Sequence, residues 1–109
     1  KLTKRLSLIM LLLFEYQANA GIDLYKFELW IIDHELLNTI WQISQVLLEA
    51  EEIHNPAELS EIFDSGCRVG FITKENNHYR LLAAVHRYLD LFIELQNLAQ
   101  AKENNSDEN

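Results

Sequence analysis

From Asp33 to Glu52 the chain reads DHELLNTIWQISQVLLEAEE, with apolar residues at Leu36, Leu37, Ile40, Trp41, Ile43, Val46, Leu47 and Ala50. Intervals of three and four predict a helix with a broad apolar stripe. A helix alone on a surface cannot satisfy a stripe this wide, so the rest of the chain has to cover it. Three Gly and one Pro in 109 residues are too few for the closely spaced turns of an all-β domain, and they favour long helices. The length suits one domain whose core is either compact or shared with a partner.

Residues 1–20, KLTKRLSLIMLLLFEYQANA, place Lys1, Lys4 and Arg5 before an apolar run from Leu8 to Phe14. That layout fits a retained first helix over 2–19. It also fits a cleaved signal peptide ending at Ala18-Asn19-Ala20, which would move the protein from the cytoplasm to a periplasmic or secreted location. The apolar run is too short to span a bilayer, which needs about 20 residues. Retained, it is apolar all round for two turns, and the expected cover is the bundle core or a second copy of the chain.

Gly21 marks the end of that helix and Asp23 is a fitting N-cap. Tyr25, Phe27, Leu29 and Ile31 alternate as in a strand, whereas Leu24, Phe27 and Ile31 also fit a helix. With no turn chemistry before Asp33, one helix over 23–52 is expected, with a break allowed near Asp33. Asn55-Pro56-Ala57-Glu58 is a capping-box start for a third helix over 56–65, stopped by Ser65-Gly66. Leu81, Leu82, Val85, Leu89, Phe92, Leu95 and Leu98 keep helical spacing and predict a fourth helix over 77–102. A hairpin pairing Val69 to Thr73 with Tyr79 to Leu82 around Glu75-Asn76-Asn77 competes with it. The expected fold is an all-α, four-helix bundle-like domain over 1–102, with an irregular or hairpin segment near 67–77 and a disordered tail over 103–109.

The net charge of −8 disfavours nucleic acid and anionic lipid as partners. From Phe27 to Cys67 there are nine acidic residues and no Lys or Arg, whereas Arg68, Lys74, Arg80 and Arg87 follow with Glu75 alone. Four bases cannot neutralise nine acids. An acidic helical face for a protein partner with a basic surface is expected, built on Glu49, Glu51, Glu52, Glu58 and Glu61. The leading expectation is a non-enzymatic interaction module, an inhibitor, immunity or regulatory factor, that self-associates as a dimer through the first helix and part of the fourth.

Arg80, His86 and Tyr88 form R-x5-H-x-Y, which is similar to the R-x4–6-H signature of HEPN-type ribonucleases. Those are small all-α proteins, often dimeric, in which the Arg and His act on the RNA phosphodiester. The resemblance spans nine residues, Arg80 to Tyr88, and implies an alternative function, RNA cleavage by Arg80 and His86. The family's usual polar residue after the Arg is Leu81 here. Six residues apart in one helix, the two side chains would also sit on different sides, whereas acid–base work needs them converging.

Glu51-x-x-His54 and Glu75-x-x-His78 have the spacing of di-iron carboxylate bundles, but each pair falls at a helix end rather than deep in facing helices. No metal or other cofactor is expected. Cys67 is the single cysteine and reads as a buried, inert thiol. Trp30, Trp41, Phe27, Phe63 and Phe92 are expected in the core, and Tyr25, Tyr79 and Tyr88 at an interface.

Overall fold

The computed structural model describes residues 2–107. Helix α1 (Leu2–Asn19) leads into a 3₁₀ turn (Leu24–Leu29), followed by α2 (His34–Ile43), α3 (Gln45–Ala50) and α4 (Pro56–Arg68). Strands β1 (Ile72–Glu75) and β2 (His78–Leu81) come next, then a single 3₁₀ turn and the last helix, α5 (His86–Asp107).

The four-helix bundle expected from the sequence is therefore corrected to a mainly helical fold, 73% helical, that carries a two-stranded antiparallel hairpin. The hairpin pairs Ile72 with Leu81 and Glu75 with His78. Asn76 takes the left-handed backbone at its turn (φ 55), a conformation that asparagine tolerates better than most residues. Leu81, counted in the sequence as part of a helical row, faces the core from β2. The last helix starts nine residues later than the spacing implied, at His86 rather than Asn77.

The expected helix over 23–52 is broken twice. Asp33 accepts a hydrogen bond from the Leu36 amide (2.8 Å) and starts α2 afresh. Before it, Trp30 to Ile32 is extended, and Ile32 bridges Tyr79 through two backbone hydrogen bonds of 3.0 and 2.8 Å, an isolated antiparallel bridge added to β2 outside the hairpin's own four pairs. The alternation through Tyr25, Phe27, Leu29 and Ile31 ends in this short extended piece. A second break at Ser44 separates α2 from α3.

Helix α4 begins as expected. The Glu58 amide donates to Asn55 Oδ1 (3.0 Å), and Asn55 Nδ2 donates to Glu58 Oε1 (3.3 Å). Gly66 does not stop this helix, which runs on to Arg68. Gly66 is buried, and a Cβ there would lie 2.6 Å from Ile72 Cδ1. Its missing side chain lets β1 close onto α4.

Helix α1 runs through the core. Leu6, Ile9, Met10, Leu13 and Phe14 are all buried, and Phe14 packs edge-on to Phe27 and Trp30 and tilted against Phe92. Leu8, Leu11 and Leu12 are partly covered by the same core. The chain thus covers the run from Leu8 to Phe14 by itself, and that run no longer argues for a second copy. Helix α5 buries Tyr88, Leu89 and Phe92, and from Glu94 to Glu103 every residue is exposed. The backbone stays helical to Asp107 although a disordered tail was expected from Glu103; residues 108 and 109 lie outside the described residues.

Candidate functional site

The acidic residues fall on two neighbouring stretches. Glu49, Glu51 and Glu52 close α3, while Glu58 and Glu61 sit in the first half of α4. The four bases from Arg68 to Arg87 are enough to neutralise part of this charge. Only Lys74 does so, reaching Asp64 at 3.7 Å. The other neutralising cations come from α1, with Lys4 on Glu51 (3.1 Å) and Arg5 on Glu52 (3.6 Å). These pairs are largely exposed and contribute little stability.

Of the nine acids between Phe27 and Cys67, three are therefore paired, which leaves six without a basic partner among the described residues. Glu49 accepts a hydrogen bond from Gln45 at 3.4 Å, Glu58 is engaged in the α4 cap, and Glu61 is exposed. Glu49 and Glu61 are the uncommitted charges of the set. Glu51, Glu52 and Glu58 also carry structural tasks.

Next to this charge lies an apolar feature that the sequence reading missed. Up to Ile40 the stripe faces inward as expected, with Leu37 and Ile40 buried and Leu36 and Trp41 partly so. A break at Ser44 follows, and across it the inward row runs on through Leu48, seven residues after Trp41. Leu48, which was not counted in the stripe, is fully buried, whereas Ile43, Val46 and Leu47 are 66%, 84% and 55% exposed. Beside Ile43 a groove of about 290 Å³ runs between α1 and α2, lined by Leu12, Glu15, Tyr16, Asn19, Ala20, Ile40, Ile43 and Ser44. Polar Gln42, Ser44 and Gln45 in mid-stripe were the available signal that the stripe does not continue.

Arg80 and His86 do not share one helix. Arg80 lies on β2, where its guanidinium donates to the Glu28 carbonyl oxygen (3.0 Å) and pairs with Glu75 (3.5 Å). His86 opens α5, pairs with Asp90 (3.3 Å) and lies against the Phe27 ring. Each is held by different partners in a structural contact. Glu75 and His78 face each other across the hairpin end at 3.7 Å, and Glu51 is taken by Lys4. Among the described residues no group of three or more His, Cys, Asp or Glu comes together.

Tyr79 is the polar anchor of the hairpin. It is buried, and its hydroxyl donates to Asp64 Oδ1 (2.7 Å) and approaches the Ser60 carbonyl oxygen (3.3 Å) on α4. Burial pushes its phenol well above the ordinary tyrosine range, and the Asp64 carboxylate adds to the effect. Cys67 is half-buried, and burial followed by the nearby Asp64 charge raises its thiol. Both groups are neutral at pH 7 and suit packing rather than nucleophilic work. Tyr79 and Tyr88 are buried, so of the three tyrosines expected at an interface only Tyr25 is exposed.

Residues 1–93 match the model of the family described as condensin complex protein MksE. The match covers most of the chain, and the chain belongs to that family. No curated protein and no solved structure matches it. None of the described helices is long and apolar enough to cross a membrane.

Proposed function

We propose, from its membership of the MksE family, that the chain is a non-enzymatic subunit of a condensin complex and offers an acidic helical surface to a basic surface of another protein. The observation that supports this most is the unneutralised charge on α3 and α4, where Glu49 and Glu61 have no cation partner among the described residues. Glu51, Glu52 and Glu58 extend the surface at either side. Like-charge repulsion also keeps nucleic acid from this face, so its ligand is a protein. A cytoplasmic location belongs to the same reading.

The test is the rate at which the chain associates with the other subunits of its complex, measured by stopped-flow fluorescence from low to high salt. Glu49→Lys with Glu61→Lys is expected to slow association about tenfold or more and flatten its salt dependence, because long-range attraction acts mainly on the encounter. An unchanged rate and slope would overturn the reading. Purified chain is expected to leave mixed RNA uncut with and without divalent metal. Cleavage that disappears in His86→Ala would replace the interaction role by the ribonuclease one.

Self-association is part of the proposal, at a different place from the one first expected. With Leu8 to Phe14 covered within the chain, the apolar surface proposed for a second copy is the row Leu91, Leu95 and Leu98 on α5, spaced four and three apart and all exposed. Such a row can pair with itself about a two-fold axis.

A further inference from the structure

We infer that the groove between α1 and α2, with the exposed Ile43, Val46 and Leu47 beside it, seats an amphipathic helical segment of a partner protein that carries apolar anchors flanked by Lys or Arg. This deepens the interaction-subunit reading and rests on it.

Leu37, Trp41 and Leu48 keep one inward-facing row across the break at Ser44, and Ile43, Val46 and Leu47, off that row, are three large apolar side chains left in water within five residues. Val46 is the most exposed large apolar residue of the described chain, at 84%. Covering large apolar side chains removes them from water and is favourable, so the patch suits association.

Size and wall chemistry narrow the occupant. The groove holds about 290 Å³ and is walled chiefly by Leu12, Tyr16, Ile40 and Ile43. That lies just below the range of small-molecule sites, about 300 to 1,000 Å³, and suits one or two inserted apolar side chains. A helix that sets its anchors three and four residues apart places them on such a groove and on the neighbouring patch together.

Charge decides the rest. Glu15 is the one ionised side chain lining the groove, and it has no cation partner among the described residues. The two helices that follow add Glu35 and Glu49 and no Lys or Arg. An incoming Lys or Arg beside the anchors gains from Glu15 and meets no cation on α2 or α3, whereas an acidic segment is repelled. The same sign counts against the chain's own uncovered helix. The Leu91, Leu95 and Leu98 row on α5 is interleaved with Asp90 and Glu94, so a second copy would bring negative charge to Glu15. A basic segment of another protein is the better fit.

The test uses the full chain and synthetic peptides tiling the other subunits of its condensin complex, with binding read by fluorescence anisotropy. At least one peptide is expected to bind, to carry net positive charge and apolar residues three or four apart, and to lose affinity at least tenfold on Val46→Asp. Val46 is nearly free of contacts, so Val46→Asp is expected to leave the circular dichroism and melting of the chain unchanged. Glu15→Lys is expected to weaken the same peptide about threefold or more and to flatten its salt dependence. The inference is overturned if no peptide binds, if the bound peptides are acidic, or if Val46→Asp leaves them bound. It is also overturned if light scattering shows Val46→Asp turning a dimer into a monomer, since a second copy would then fill the groove. Failure here with Glu49→Lys/Glu61→Lys still slowing subunit association would remove the groove and leave the acidic-face reading standing. Loss of the acidic-face effect with peptides still sensitive to Val46→Asp would do the reverse.

Discussion

Tyr79 joins the hairpin to α4 by the shortest side-chain hydrogen bond to Asp64 described above, 2.7 Å, while Lys74 lies over its ring at 5.4 Å. Tyr79→Phe keeps the ring and removes the hydroxyl, and is expected to cost about 1 to 3 kcal/mol in urea denaturation, the range for a hydrogen bond to a charged acceptor. In the folded chain the phenol resists ionisation above the ordinary value of 10, with burial first and Asp64 second as causes. Its contribution is therefore complete below pH 10 and falls away as pH rises beyond it. Urea midpoints compared between pH 8 and 11 should show a steeper alkaline loss in the parent than in Tyr79→Phe; parallel curves would exclude Tyr79 as the source. Gly66 is the second residue on which the same junction depends. Gly66→Val puts a branched side chain where even one Cβ would meet Ile72 at 2.6 Å, and about 1 to 3 kcal/mol of overpacking is expected, readable as a lower melting temperature. Neither role was visible beforehand. Tyr79 read as an interface residue and Gly66 as a helix stop, because the contacts that define them come from chain segments six or more residues away.

At the scale of elements, local signals served well and long-range ones did not. The Asn55 cap and Pro56 placed the start of α4 to the residue, since a cap is made within four residues. The start of α5 was missed because Leu81 and Leu82 continue a helical row by coincidence, while Leu81 belongs to β2, a strand stabilised by pairing with Ile72 and by the Ile32–Tyr79 bridge, contacts distant in sequence. The acidic stretch was legible as charge, but the groove was not, since it is walled by α1 as well as α2 and those segments meet only in the folded chain. Helix α5 also holds a testable division. Its buried contacts end at Phe92 and Ile93, and Glu94 to Glu103 are exposed, so the amides there should exchange with solvent far faster than those of α1. Ending the chain after Gln96 is expected to lower helical content but to shift melting by less than about 3 °C, given that little buried area is lost. A large drop would show the distal part to be covered in solution, and concentration-dependent melting would identify a second copy as the cover.

The whole molecule is longer than its size requires. Its extents are 52 × 29 × 25 Å and its radius of gyration is 14.6 Å, against about 13 Å for a rounded domain of this length. Protruding α5 accounts for the excess, and it separates two surfaces of different chemistry: a leucine row on that helix, and acidic and apolar groups on α2 to α4. A subunit that joins two partners at once has use for such a separation. Light scattering at high micromolar concentration should give a mass near 26 kDa if the leucine row pairs, twice the 12.8 kDa of one chain. Leu95→Asp with Leu98→Asp should restore the single-chain mass without loss of folding.

One feature of the core reaches back to how the chain is made. Phe14, near the first end, is closed over by Phe92, near the last, so 78 residues (92 minus 14) must be synthesised between the two rings. At about 5 to 20 residues per second that interval lasts roughly 4 to 16 s. Throughout it the apolar run from Leu8 to Phe14 has left the ribosome, or is leaving it, with part of its final cover not yet in existence. Arrested chains ending before His86 are therefore expected to be retained by cellular chaperones, while chains that include α5 are released.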